Sequence, residues 1–246
     1  MGNLTGKFAV VTGAGKGIGR AIAERFLADN VAGVALLDMD EELVKATAAE
    51  LGERAIGIKC DVSDQENVNE AFKQITEKFG QVDILVNNAG ITRDAMFHKM
   101  TVDQAKKVMD VHFFGTFYCC QAVIGGMRER EYGKIVNISS TSAFGNIGQA
   151  NYAAAKAAID GFTRTLALES ARKNITVNSI APGMVNTDIL KTIPADLMEK
   201  KIAATPAQRL AEPSEIASVA SFLASDDSSW VTGNCILACG GLKMRG

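Results

Sequence analysis

Near the N-terminus an apolar run, a turn holding four glycines and a helical segment follow one another, and few folds can use that order. Lys7-Phe8-Ala9-Val10-Val11 reads as a short buried strand, Thr12-Gly13-Ala14-Gly15-Lys16-Gly17-Ile18-Gly19 as the turn, and Arg20-Ala21-Ile22-Ala23-Glu24-Arg25-Phe26 as the helix. Strand, glycine turn and helix in this order open a dinucleotide-binding βαβ unit. The glycines let the backbone approach a pyrophosphate, and the helix N-terminus directs N–H groups and a partial positive charge at it. The spacing is G-x-x-x-G-x-G through Gly13, Gly17 and Gly19; G-x-G-x-x-G fails, because Ile18 stands where its last glycine would be.

The next strand, Gly33-Val34-Ala35-Leu36-Leu37, ends at Asp38, about twenty residues beyond the glycines. A carboxylate there accepts hydrogen bonds from the adenosine ribose hydroxyls of NAD and repels the 2'-phosphate of NADP. Lys16 pulls the other way, since a cation in the glycine loop could meet that phosphate. Asp38 decides for NAD over NADP, because no Arg or Lys follows it until Lys45.

Tyr152 and Lys156 lie four residues apart in an alanine-rich helical stretch and so share one face. A phenol has an ordinary pKa of about 10, and a neighbouring ammonium favours the phenolate. Such a pair can exchange a proton with an alcohol or ketone, the acid–base step that accompanies hydride transfer.

Further apolar runs, Ala55–Cys60, Ile84–Val86, Ile135–Ile138, Thr176–Ile180 and Cys235–Leu237, read as strands, separated by helical stretches such as Gln65–Phe79 and Asp103–Gly126. Strands alternating with helices imply an α/β fold: a three-layer Rossmann arrangement with a parallel sheet, helices on both faces and ligands at the C-terminal strand ends. One Rossmann-type NAD-binding catalytic domain over residues 1–246 is expected, since no low-complexity linker divides the chain. The less regular segment Asn186 to Pro206 is expected to form a helical lid. A net charge of -2 gives no long-range attraction to nucleic acid or to an anionic membrane. No run of eighteen apolar residues and no secretory signal pattern occurs, so a cytoplasmic protein is expected. The five cysteines lack C-x-x-C spacing and nearby histidines, which argues against a metal site and a disulfide framework. Cys119 and Cys120 are expected to be buried, and His98 to be structural or solvent-facing.

At this point the chain resembles the short-chain dehydrogenase/reductase (SDR) family over nearly its whole length. Besides the Thr12–Gly19 turn, Asp61-Val62 matches its adenine-binding turn, Asn87-Asn88-Ala89-Gly90 its NNAG motif, Tyr152 and Lys156 its Y-x-x-x-K pair, and Pro182-Gly183 with Thr187 its P-G-x-x-x-T segment. Within the family the likeness is to 3-oxoacyl-[acyl carrier protein] reductases and acetoacetyl-CoA reductases, carried by Asn88–Asp94, Gly145–Tyr152 and the tail Gly240–Met244. The resemblance implies seven strands. It also implies a cofactor held by Gly13, Gly15, Lys16, Gly17, Ile18, Gly19, Asp38, Asp61, Val62, Asn88, Ala89, Gly90, Tyr152, Lys156, Pro182, Gly183, Val185 and Thr187. An acyl thioester of coenzyme A or acyl carrier protein is the implied substrate, fatty acid metabolism the setting and a homotetramer the assembly. In the implied mechanism a serine holds the carbonyl oxygen, Tyr152 exchanges the proton, and Lys156 lowers the Tyr pKa and binds the nicotinamide ribose.

Two departures from the family pattern touch the site. His112, in Val111-His112-Phe113, stands where the family usually carries an asparagine that holds a water on the proton path. Imidazole can also bond water, but it is bulkier and can charge near neutral pH; a helix residue with no proton-transfer role is the alternative. The family serine lies thirteen residues before the tyrosine, which selects Ser139, whereas the register of the preceding strand selects Ser140. Ser140 is preferred, because a deletion is easier in the following loop than in a buried strand, with Ser139 the second choice. Two other readings stand beside the thioester one: an NAD-dependent dehydrogenase of another secondary alcohol (sugar, steroid or cyclic), and a dinucleotide-binding regulator without turnover.

Overall fold

The computed structural model describes residues 3–188, 190 and 195–243. Seven parallel strands form one sheet: β1 (Phe8–Thr12), β2 (Gly33–Asp38), β3 (Ala55–Lys59), β4 (Ile84–Asn87), β5 (Gly133–Ile138), β6 (Ile175–Pro182) and β7 (Cys235–Ala238). Their order is β3-β2-β1-β4-β5-β6-β7. The α-helices are α1 (Gly17–Ala28), α2 (Glu41–Leu51), α3 (Gln65–Phe79), α4 (Val102–Met109), α5 (Gly115–Arg130), α6 (Ala150–Ser170), α7 (Ala195–Ala203) and α8 (Pro213–Ala224). The order reverses between β1 and β4. A crevice opens there beyond the C-terminal strand ends, with the glycine turn on one side and Asn88-Ala89-Gly90 on the other.

Both sheet faces are covered, which is why the central strands read as continuous apolar runs rather than alternating ones. On one face Ile22, Ala23 and Phe26 of α1 and Ile216, Ala220 and Leu223 of α8 pack over Ala9, Val11, Val34 and Val136. On the other, Val68, Phe72 and Ile75 of α3 and Cys119, Val123 and Met127 of α5 pack over Val10, Leu37, Leu85 and Ile135. Cys119 and Cys120 are buried as expected, and His98 is exposed in a one-turn helix, Phe97–Lys99.

The helical stretch expected over Asp103–Gly126 is not uniform. It begins at Val102, widens into a π turn over Asp110–Phe114 and resumes as α5 to Arg130. A π turn accommodates an extra residue within a helix, and here it carries His112, which is 2 % exposed. The expected lid lies partly outside the described residues; within them Ala195–Ala203 is helical. Met244, the last residue of the tail likeness, also lies outside them. No helix among the described residues is long and apolar enough to cross a membrane.

Candidate active site

The crevice is built around Thr12. Its hydroxyl accepts the backbone N–H groups of Asn88 and Ala89, both at 3.0 Å. Asn88 Nδ2 donates in return to the carbonyls of Thr12 at 2.9 Å and Gly13 at 3.0 Å. These four bonds join the glycine turn to the Asn-Ala-Gly turn across the switch point. Close packing explains two glycines: a Cβ on Gly13 would lie 2.8 Å from Ala89 Cα, and one on Gly19 would lie 2.6 Å from Asn88 Nδ2. Gly17 differs, with φ +61° and open space around its Cβ position save Thr187 Cγ2 at 3.6 Å.

Helix α1 begins at Gly17, and Ile18 follows in its first turn. No side chain caps α1, whereas Asp40, Asp64 and Thr101 cap α2, α3 and α4. An uncapped helix N-terminus beside a glycine cradle suits a phosphate, so the residues present fit a dinucleotide. Asp38 ends β2 and accepts from Gly15 N at 3.0 Å and Asp40 N at 3.2 Å. Lys16 pairs with Asp188, 3.5 Å distant. Beyond β3, the Asp61 carboxylate accepts from Ser63 N at 3.0 Å and Ser63 Oγ at 2.6 Å, and Val62 is buried against Gly115. Pro182 ends β6 and Gly183 packs on Cys239. Val185 pairs with Ala211, and Thr187 Oγ1 donates to the Val185 carbonyl at 3.3 Å. The residues expected to bind cofactor therefore lie on turns, strand ends and the start of α1, with Tyr152 and Lys156 on α6, and Lys16 pairs with Asp188 beside Thr187.

Tyr152 and Lys156 occupy successive turns of α6. Lys156 is 3 % exposed; its Nζ donates to the Ile138 carbonyl at 2.6 Å and lies 5.5 Å from the centre of the Tyr152 ring. Ser140 neighbours the Tyr152 phenol and opposes the rise of its pKa, and its Oγ accepts from Ser142 N at 3.1 Å. Ser139 points elsewhere: it is buried, and its hydroxyl reaches the Lys156 carbonyl at 3.4 Å. The structure thus brings Ser140 and not Ser139 to the phenol.

The expected lowering of the phenol pKa by Lys156 is not found. Burial raises the Tyr152 pKa, Ser140 opposes that and Asp94 adds to it. Burial pulls Lys156 down to about 7, against the attraction of Asp160. The ammonium reaches the Ile138 carbonyl rather than the phenol oxygen, and desolvation is the largest influence on both groups.

His112 packs edge-on against Tyr152, with ring centres 5.1 Å apart at 87°. Its Nε2 lies 2.8 Å from the Ile91 carbonyl and 3.1 Å from the Ile91 N–H, so either tautomer finds a backbone partner. Nδ1 is buried without a protein partner. Burial, with Lys156 nearby, lowers the His112 pKa to about 3, so the ring is neutral at physiological pH. The charging that a sequence reading allows near neutral pH is therefore absent.

Gly90 makes room for this ring, because a Cβ there would collide with Cε1 and lie 3.1 Å from Nδ1. We expect Gly90→Ala to destabilise the protein by about 1–3 kcal/mol, the usual cost of overpacking. His112→Ala in the same chain should recover much of that loss. Denaturant unfolding of both single variants and the double variant measures the coupling; additive losses would show that the ring and the glycine do not compete for space.

Several supporting residues escaped the sequence reading. Gln149 Nε2 donates to Asp94 at 2.9 Å, while Gln149 Oε1 accepts from Ser142 Oγ at 3.0 Å and Asn146 Nδ2 at 2.8 Å. Asn151 Nδ2 donates to the Arg93 carbonyl at 2.9 Å, and Ala95 N to the Gly148 carbonyl, also at 2.9 Å. Together they bind the loop after β4 to the entry of α6, which holds Tyr152. Their only sequence signal is that polar side chains cluster within the two stretches, Asn88–Asp94 and Gly145–Tyr152, that carry the family likeness.

Residues 13–243 match the family model described as enoyl-(acyl carrier protein) reductase. A 3-oxoacyl-[acyl-carrier-protein] reductase of Vibrio cholerae is 42% identical over 243 residues, covering 98% of this chain and 99% of that one. The chain belongs to the short-chain dehydrogenase/reductase family. Another SDR protein, an acetoacetyl-CoA reductase of Shinella zoogloeoides, is 44% identical over 237 residues, 96% of this chain and 98% of that one. A (2S)-[(R)-hydroxy(phenyl)methyl]succinyl-CoA dehydrogenase subunit of Thauera aromatica is 39% identical over 244 residues, 98% of each. This SDR protein is an oxidoreductase of the CH–OH type that uses a nicotinamide cofactor.

Proposed function

We propose that this SDR protein is an NAD(H)-dependent reductase of 3-oxoacyl thioesters carried on coenzyme A or acyl carrier protein. The observation that carries the reading is the placement of Ser140 beside the Tyr152 phenol, with the Lys156 ammonium 5.5 Å from the Tyr152 ring centre and one helical turn behind, next to a crevice that fits a dinucleotide. The names of the Vibrio and Shinella relatives support the thioester class.

When bound, the nicotinamide supplies or accepts the hydride. Ser140 donates a hydrogen bond to the substrate carbonyl oxygen and aligns it with Tyr152. Tyr152, kept protonated through neutral pH by burial, gives that oxygen its proton. Lys156 supplies positive charge beside the phenolate that results, and binds the nicotinamide ribose. His112, neutral and clamped on Ile91, offers Nδ1 to a water on the proton path behind Lys156. Gly17, Ile18 and the α1 N-terminus hold the pyrophosphate, Asp61 and Val62 the adenine side, and Val185 and Thr187 the carboxamide. Asp38 holds the adenosine ribose and selects NAD, a reading supported by the ion pair that draws Lys16 toward Asp188. The assembly is a homotetramer. Phe114 on the π turn is 41% exposed and Leu168 on α6 is 82% exposed, and these apolar surfaces suit partner helices.

The test is the initial rate of acetoacetyl-CoA reduction with NADH and with NADPH in parallel, with Tyr152→Phe as the blank. Turnover with NADH well above that with NADPH is expected. Preference for NADPH would overturn the role of Asp38. No turnover with either, despite tight NADH binding, would overturn the thioester class.

A further inference from the structure

Asp160 lies one turn beyond Lys156 on α6, at the spacing that places two side chains over one another on a helix face. It is 7 % exposed, and its carboxylate accepts the Ser179 hydroxyl of β6 at 2.7 Å. Ser179 itself is wholly buried, so the contact has no direct access to solvent. Asn137 on β5, in register with Ser179, is neutral and already engaged: it bonds Thr163 Oγ1 at 2.9 Å and Asn87 at 2.8 Å.

A buried carboxylate among neutral groups is costly unless a cation compensates it, and the same holds for a buried ammonium. The groups that face Lys156 can be named element by element. Its own helix gives Tyr152 and Asp160, the π turn gives neutral His112, and β5 gives the Ile138 carbonyl with Ser139 and Ser140 just beyond. Strand β6 reaches this set through Ser179, which bonds Asp160, and the charged side chains of α4, Asp103, Lys106 and Lys107, are exposed. Asp160 is the buried anion among these described residues, Asp103 being exposed.

We propose that Asp160 is a positioning residue for the Tyr152–Lys156 pair: held against β6 by Ser179, its carboxylate supplies the negative charge that keeps Lys156 an ammonium in the core. This rests on the catalytic reading of Tyr152 and Lys156 given above. The opposing pulls on Lys156 agree with it, burial lowering its pKa to about 7 and Asp160 raising it. Asp160 needs no contact with substrate or cofactor to act; it sets the pH range over which Lys156 is charged.

Asp160→Asn keeps the size and an acceptor for Ser179 while removing the charge. Loss of a neighbouring opposite charge should make Lys156 lose its proton about one pH unit lower. The first readout is an NMR titration of lysine side chains labelled at Cε, in the protein without substrate, with Lys156 assigned from the Lys156→Arg spectrum. The second is the pH profile of kcat, whose limb due to Lys156 should move to lower pH by the same amount. Ser179→Ala removes the hydrogen bond but not the charge, and should move both readouts far less.

An unchanged Lys156 titration in folded Asp160→Asn overturns the proposal, as does an equal shift in Ser179→Ala, which would make the contact merely structural. Should Asp160→Asn fail to fold, an unshifted titration in the double variant Asp160→Asn/Ser179→Ala, which removes the charge together with its hydroxyl partner, would overturn it equally. Near-normal turnover of Tyr152→Phe would instead overturn the catalytic reading, a result separable from these.

Discussion

Replacing Tyr152 with phenylalanine should cut turnover by about 10²- to 10⁴-fold, the span that general acid–base catalysis typically contributes. The structure predicts a clean loss. The ring keeps its edge-on contact with His112, and only the hydroxyl beside Ser140 disappears. Cofactor affinity should change little, because the glycine turn, Asp38 and the Thr12–Asn88 bonds lie elsewhere in the crevice. The informative measurement is kcat for ketone reduction beside NADH affinity and a thermal unfolding curve. A loss in kcat alone assigns the proton to Tyr152, whereas near-normal kcat would mean another group delivers it. Because burial raises the Tyr152 pKa, the wild-type phenol should stay protonated across the neutral range.

How far this site could be read from the chain depends on the range of the forces that build it. Local signals did well: the helix expected over Gln65–Phe79 has those bounds, because Asp64 caps its first turn and Gly80, at φ +79°, ends it. The continuous apolar strands gave the parallel sheet for the same reason, since a strand buried on both faces has no polar side to alternate with. The π turn at His112 was not legible. One residue more in a helix leaves the apolar pattern nearly intact, and only the packed ring against Gly90 shows why it is there. The choice between Ser139 and Ser140 turned on register, which the hydrogen bonds of β5 with β6 fix and a count back from Tyr152 does not. The rise of the Tyr152 pKa was not legible from spacing. Helical proximity predicts mutual stabilisation of two charges, but burial acts on both groups, and its size depends on neighbours far apart in sequence. The Gln149–Asp94 bond, spanning 55 residues, is invisible for the same reason.

Removing the Asp38 carboxylate should reverse cofactor choice. Its two oxygens are the acceptors available to the adenosine ribose at the end of β2, and hydrogen bonds to a charged group are worth about 1.5–3 kcal/mol each. Asp38→Ala should therefore weaken NADH binding on the order of 10²-fold. It should strengthen NADPH binding, since a 2'-phosphate no longer meets a fixed anion. The carboxylate also anchors the glycine turn through Gly15 N, so the alanine variant mixes two effects. Asp38→Asn separates them: an amide oxygen still accepts from Gly15 N, while the charge is gone. If charge selects the cofactor, both variants shift the NADH-to-NADPH affinity ratio toward NADPH, and the asparagine variant keeps wild-type stability. If anchoring dominates, only the alanine variant loses NADH, it loses stability with it, and the ratio in Asp38→Asn stays put. In that outcome the selector must be sought at Lys16, whose ion pair with Asp188 would have to break to admit the phosphate. Calorimetric titration of both cofactors against the three proteins distinguishes these cases without any knowledge of the substrate.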